Sequence, residues 1–286
     1  MKAFDFEYDG FLLSDKGFML CKFDSGGMET VSNGSEITFN TVPTLNGQKH
    51  QLTSSEYGNC LTTTLQICKN LCDDYDMEIS VEDMRDIMRW LNRKEFHKFK
   101  IIDDEYINFY LNASFNVSRI EINGRLYGFE LELFSDTPFM LHEPVVVNVN
   151  VKQSDLTDSC IMANGTPISN VCIKSIYSKS DEEGYIYPNM IIKIDDNVAG
   201  KNILEIYNIT EDRLMRIANC VAGEEIAINY PMISSSYASH NNTLMNDFNW
   251  RFFRVATSFR DRKNDIAISL PCSIKITYSP IVKVGI

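Results

Sequence analysis

Short alternating segments dominate this chain and predict strands far more often than helices. Phe4, Phe6 and Tyr8 alternate with Asp5 and Glu7, the period of a half-buried strand. Gly10 and a Ser14-Asp15-Lys16-Gly17 turn lead to a second apolar segment over residues 18–23, and residues 36–40 predict a short third strand. The clearest alternation covers 61–68, with Leu61, Thr63, Leu65 and Ile67 on one face and Thr62, Thr64 and Gln66 on the other. One helix stands out. Ser80 is placed to cap it, Glu82 and Asp83 suit its first turn, and Met84, Ile87, Met88 and Leu91 follow at helical spacing with Trp90 beside them.

Strands resume at 99–102, 106–111, 117–122 and 126–134. Asn123-Gly124 between the last two is a hairpin signal, because both central residues of a type I′ turn need positive φ. The cluster Ser135-Asp136-Thr137-Pro138 ends this block, so the domain boundary is expected there: 1–138, β-rich with one helix, and 139–286. The second part predicts strands at 144–151, 171–177, 185–194, 203–209, 225–229, 250–256, 265–270 and 273–278. Many short strands between turn clusters predict an antiparallel sandwich or jelly roll. The fold class is therefore mainly β in two domains, as a length of 286 residues also suggests.

Composition narrows the function. Hydrophobic residues make up 44% and charged ones 23%, which excludes a globally disordered chain. A net charge of −12 argues against nucleic acid as a partner, since phosphate binding needs a dense basic surface. The one basic cluster, Arg93, Lys94, His97, Lys98 and Lys100, follows the helix and reads as cations favoured by its C-terminal dipole. No apolar stretch is long enough to span a membrane, and the opening MKAFDFEYDG lacks the apolar run of a signal peptide. The product is thus expected to be made in a cytosol, with its eight cysteines reduced and mostly buried.

The sequence offers little for catalysis. It has no Gly-x-Ser-x-Gly elbow, phosphate-binding loop or His-Glu-x-x-His helix, and His50, His97, His142 and His240 lie in no motif. Cys68 and Cys72, with Cys60 nearby, lack the second pair a zinc site needs. The acidic run Asp73, Asp74, Asp76 and Glu78 lacks the glycine and terminal glutamate of a calcium loop. Glu224-Glu225 and Asp103-Asp104-Glu105 read as solvated turns rather than a glycosidase pair. No catalytic, metal or cofactor site is expected. The aromatics Tyr185, Tyr187, Tyr207, Tyr230, Tyr237 and Trp250 read first as core, with sugar stacking as the alternative and Trp250 as its candidate residue.

Several strings resemble the distal tail protein family of siphophages and related prophages. Phe6-Glu7-Tyr8-Asp9-Gly10-Phe11, then Ser14-Asp15 and Gly17-Phe18-Met19-Leu20, looks like that family's N-terminal signature. Met88-Arg89-Trp90-Leu91 matches its arginine-tryptophan-leucine helix, and Tyr106-Ile107-Asn108-Phe109-Tyr110-Leu111 its next strand. Phe129 to Phe134 and Asp136-Thr137-Pro138-Phe139 resemble the close of its first domain. The second half agrees in architecture, and departs where Arg260-Asp261-Arg262-Lys263-Asn264 replaces the family's Pro-Gly-Asn-type turn. The resemblance implies a ring-forming N-terminal domain followed by a galectin-like β-sandwich. It implies a homo-hexamer at the virion tail tip, joining tail tube protein to the tail-tip hub and supporting receptor-binding proteins. It assigns no interface residues and no enzymatic activity; the alternative is a carbohydrate-binding module for host cell-wall attachment.

Overall fold

Alternation in the first half builds a single curled sheet. The computed structural model describes residues 4–23, 34–58, 61–70, 77–200 and 202–284. Cys60, Cys72, Asp73, Asp74 and Asp76 lie outside these. The chain divides into two units, one holding residues up to Glu143 with those from Val282 on, the other Pro144–Ile281. The first contains β1 (Phe6–Tyr8), β2 (Phe11–Leu12), β3 (Phe18–Cys21), β4 (Ile37–Thr44), β5 (Lys49–Tyr57), β6 (Thr62–Lys69), α1 (Val81–Leu91), β7 (His97–Ile101), β8 (Phe109–Ile122), β9 (Arg125–Ser135) and β10 (Met140–His142).

The main sheet runs β2-β1-β7-β8-β9-β6-β3, and the Leu20 N–H donates to the Phe4 carbonyl at 2.9 Å, bringing its two ends together. Curling gathers the inward side chains of β1, β3, β6, β7, β8 and β9 into one core, which includes Phe6, Tyr8, Leu65, Ile67, Phe99, Phe115 and Leu131. Ile87 and Leu91 of α1 complete it. The helix starts where expected: the Asp83 N–H donates to Ser80 Oγ at 3.1 Å and the Ser80 N–H to Asp83 Oδ2 at 3.4 Å, a reciprocal cap. Trp90 stacks on Phe6 at 5.8 Å between centroids, and its indole N–H donates to the Tyr8 carbonyl at 3.2 Å.

The strands expected at 106–111 and 117–122 are instead one strand, β8, entered from a turn at 104–108. Its alternation continues through the gap, with Leu111, Ala113 and Phe115 buried between polar Asn112, Ser114 and Asn116. Asn123 and Gly124 take φ of 53° and 79° and turn the chain into β9, as the hairpin signal predicts. The strand expected at 36–40 is longer, and it pairs with β5 alone as a separate ribbon. The Lys49–Tyr57 strand was not anticipated, because KHQLTSSEY carries no apolar alternation.

The second unit contains β11 (Val145–Val151), β12 (Asp158–Ile161), β13 (Pro167–Tyr177), β14 (Gly184–Ile186), β15 (Asn189–Ile194), β16 (Asn202–Asn208), β17 (Arg213–Cys220), β18 (Glu225–Asn229), β19 (Met232–Ser235), α2 (Ala238–Asn241), α3 (Leu244–Asp247), β20 (Val255–Thr257), β21 (Lys263–Ile268) and β22 (Cys272–Tyr278). Two five-stranded antiparallel sheets, β11-β22-β15-β18-β19 and β12-β13-β21-β16-β17, enclose a common core. Ile192, Ile226, Ile274 and Ile276 face it from one sheet, and Leu204, Ile206, Ile217 and Ile268 from the other.

Three expectations for this half change. Residues 185–194 are two strands, interrupted at Pro188, whose nitrogen has no hydrogen to give a ladder. The strand expected at 250–256 shrinks to β20, because Trp250 has φ of 57° and cannot continue an extended run. Two short helices, α2 and α3, occupy a stretch for which no element was expected. The chain returns to the first unit at Val282: β23 (Ile281–Val282) pairs with β10, and Val284 accepts the Met140 N–H at 3.3 Å. The first unit therefore takes residues 139–143 and the tail, which the expected 139–286 domain had included.

Candidate functional site

The most enzyme-like arrangement among the described residues is a buried carboxylate–histidine cluster in the second unit. Glu224 was read as a solvated turn residue, yet it is completely buried while Glu225, next on β18, is exposed. Adjacent residues at a strand end point to opposite faces, and Glu224 takes the inner one. Its carboxylate accepts from the Val221 N–H at 3.0 Å, from Ser235 Oγ, and pairs with His240 Nδ1 at 2.5 Å. His240 Nε2 lies 3.7 Å from Asp247 Oδ2, and Asp247 also accepts from Asn219 and Thr243, each at 2.7 Å. His240 belongs to no motif because the members of its cluster come from β17, the 221–224 turn, β19 and α3.

This chemistry points away from turnover. The Ser235 hydroxyl gives its proton to Glu224 rather than to the imidazole, so no base is aimed at a nucleophile. Burial, then the Glu224 charge, pushes the neighbouring Cys220 thiol up to about 12, which keeps it protonated. The cluster instead joins α2 and α3 to the β18–β19 hairpin.

Four of the five members of the basic cluster after α1 face carboxylates. Arg93 pairs with Asp9 at 2.9 Å, His97 stands 3.5 Å from the same carboxylate, and Lys98 and Lys100 both reach Glu143, at 2.8 and 2.9 Å. Arg93 holds the Asp9 carboxyl below its ordinary range. Burial pushes Glu143 up, but the two lysines more than offset this and hold it low. Of the three cysteines considered for zinc, Cys68 is on β6, and among the described residues no three His, Cys, Asp or Glu side chains are grouped to hold a metal. Asp103-Asp104-Glu105 is a turn, with the Glu105 N–H donating to Asp103 at 3.0 Å.

Four of the six aromatics singled out in the second half converge. Tyr185 meets Tyr187 at 5.5 Å, Tyr187 stacks on Tyr230 at 4.0 Å, Tyr230 meets Phe252 at 5.2 Å, and Phe252 meets Trp250 at 6.2 Å. Tyr207 lies elsewhere, buried and bonded to Asp212 at 2.6 Å, and Tyr237 donates to the Ala222 carbonyl at 3.2 Å. A sugar site needs free polar groups beside its rings, and here these are engaged. The Trp250 indole N–H donates to Met245 at 3.0 Å. Arg254 pairs with Glu211 at 2.9 Å while covering the Tyr185 ring at 3.8 Å, and Asn249 donates to Leu214 at 2.9 Å. What remains exposed is Tyr185, Tyr230 and Trp250, with Met232 and Met245, a composition typical of protein interfaces.

A second exposed apolar surface was not anticipated. The β4–β5 ribbon leaves Ile37, Phe39, Val42, Leu45 and Leu52 between 48% and 71% exposed. Its base is fixed where Tyr57 meets Phe139 edge-on at 5.1 Å and the Ser35 N–H donates to Pro138 at 3.0 Å. Leu45, Asn46 and Gly47 turn the tip with positive φ. Asn46-Gly47 was the available signal for this hairpin.

Compared with known proteins, residues 1–137 match a family model described as a phage tail protein N-terminal domain, and residues 165–278 one described as a phage tail C-terminal domain. In three dimensions the chain is similar to the Dit protein (gp 19.1) of SPP1, from the hub adsorption apparatus of phages infecting Gram-positive bacteria. The TM-score is 0.61 at 10% identity, over 97% of this chain and 99% of that one. It is also similar to a chain of the phage P2 baseplate in its activated conformation with calcium, at TM-score 0.47 and 10% identity, over 99% and 100%. No curated protein matches it by sequence.

Proposed function

The chain belongs to the family of phage tail proteins whose two domain models it matches, and from that premise we propose that it is a distal tail adaptor, a non-catalytic protein closing into a hexameric ring between tail tube and tail-tip hub. The observation that carries the ring is the β4–β5 arm. A two-stranded ribbon cannot bury its own apolar side chains and is marginal alone in water. Five large apolar residues exposed along it call for cover from a neighbouring copy. A contact in which one copy's arm meets a different surface of the next is heterologous, and such contacts form a ring when the rotation from copy to copy closes.

In this reading the second unit, a galectin-like sandwich of two five-stranded sheets, faces other tail-tip components. Its aromatic and methionine band supports a docking role for a receptor-binding protein. The sugar-binding alternative is less favoured, because the polar groups around Trp250 already have partners.

The test is the solution mass of the full chain by light scattering across a concentration series, with and without tail tube protein. The expected result is a discrete hexamer, lost in Phe39→Ser/Leu52→Ser while far-UV circular dichroism keeps the wild-type β signature and the thermal midpoint falls with the loss of assembly. A monomer that also fails to bind tail tube protein overturns the reading.

A further inference from the structure

A cavity of about 480 Å³ opens beside α1 in the first unit, walled by Phe11, Lys16, Ile87 and Trp90. Its carboxylates are already matched: Asp9 by Arg93 at 2.9 Å, Asp83 by Lys69 at 3.2 Å, and Asp86 by Arg89 at 3.4 Å. Lys16 is the exception. Its Nζ stands 5.1 Å over the Phe11 ring and 5.9 Å over Trp90, and no described carboxylate pairs with it. Arg93, also lining the cavity, is already engaged, by Asp9 and by the Tyr8 ring, whose centre lies 5.0 Å from its Cζ. Phe11 is 52% exposed. The cavity thus combines an unmatched ammonium with two aromatic walls. The missing complement is an anion carried beside an apolar group.

We propose that this cavity receives an acidic side chain, flanked by an apolar one, from a second copy of this chain. The inference rests on the ring reading above and adds the electrostatic half of the contact. Charge complementarity selects the occupant: each copy carries 39 acidic against 27 basic residues, so a neighbour offers carboxylates in excess to an unmatched cation. Lys16 is exposed, so changing it tests recognition without disturbing the core.

The experiment compares wild type, Lys16→Met and Lys16→Glu by light scattering of the full chain at low and high salt, with thermal midpoints as a check on folding. The expected result is assembly at about tenfold higher concentration for Lys16→Met and a larger shift for Lys16→Glu, with high salt narrowing both differences. Wild-type rings matched by equally stable Lys16→Glu rings would overturn the cavity's role and leave the ring standing. A wild type that stays monomeric at every concentration overturns the second copy as occupant. Normal rings that lose binding to another tail protein on Lys16→Glu also overturn it, in favour of that partner.

Discussion

His240→Ala should destabilise the second unit severely and leave the first untouched. Glu224 is fully buried and accepts from three donors, of which the imidazole is the one that can carry charge. Deleting it strands a carboxylate away from water, and breaking one side of such a pair costs about 3–5 kcal/mol. Glu224→Gln keeps the shape while removing the charge, so it should cost less, about 1–2 kcal/mol. The double variant should fall short of the summed losses, because the two side chains are in contact. The assay is urea unfolding followed by tryptophan emission. The chain has two tryptophans, Trp90 in the first unit and Trp250 in the second, so a Trp90→Phe background isolates the second. Trp250 is bonded to Met245 in α3, the helix that supplies Asp247, so its emission follows the affected region. His240→Ala within about 0.5 kcal/mol of its background, the range of an ordinary surface change, would refute the clamp reading.

Two further outcomes follow from the first unit. In Gly128→Ala, the new Cβ would fall 2.6 Å from the Ile67 carbonyl oxygen, a strand neighbour that cannot swing aside, and 2.5 Å from the Phe23 ring. A loss of about 1–3 kcal/mol is expected in thermal unfolding of that unit, and a neutral result would contradict the close packing of β6 on β9. Glu143, held below its ordinary value of 4.5 by Lys98 and Lys100, contributes stability that is fully present above that value and disappears as pH falls through the lower folded one. The stability difference between wild type and Glu143→Gln should therefore shrink on acidification; a difference constant from pH 7 to pH 3 would disprove the pairing.

Much of the first unit is legible from sequence because its signals are local. Leu65 and Ile67 are buried by alternation, Ser80 caps α1 through neighbours three residues away, and Asn123-Gly124 turns the hairpin by its own φ preference. The Trp90 helix likewise follows from spacing, whereas its stacking on Phe6 needed the fold.

What the sequence left open depends on distant partners. Lys49–Tyr57 became a strand by pairing with β4, without an apolar face of its own. Glu224 and His240 are 16 positions apart and meet because a hairpin and a helical turn return the chain to one place. Trp250 left the expected strand through a single positive φ, and its ring packs on Phe252, which joins aromatics contributed by two other segments. Even the last residues were undecided until β23 paired with β10. Composition and periodicity determined a two-part β protein with one capped helix, because those follow from each residue's nearest neighbours. Which apolar side chains stay exposed, and which charges stay unmatched, depended on tertiary structure, because exposure and pairing belong to whole surfaces.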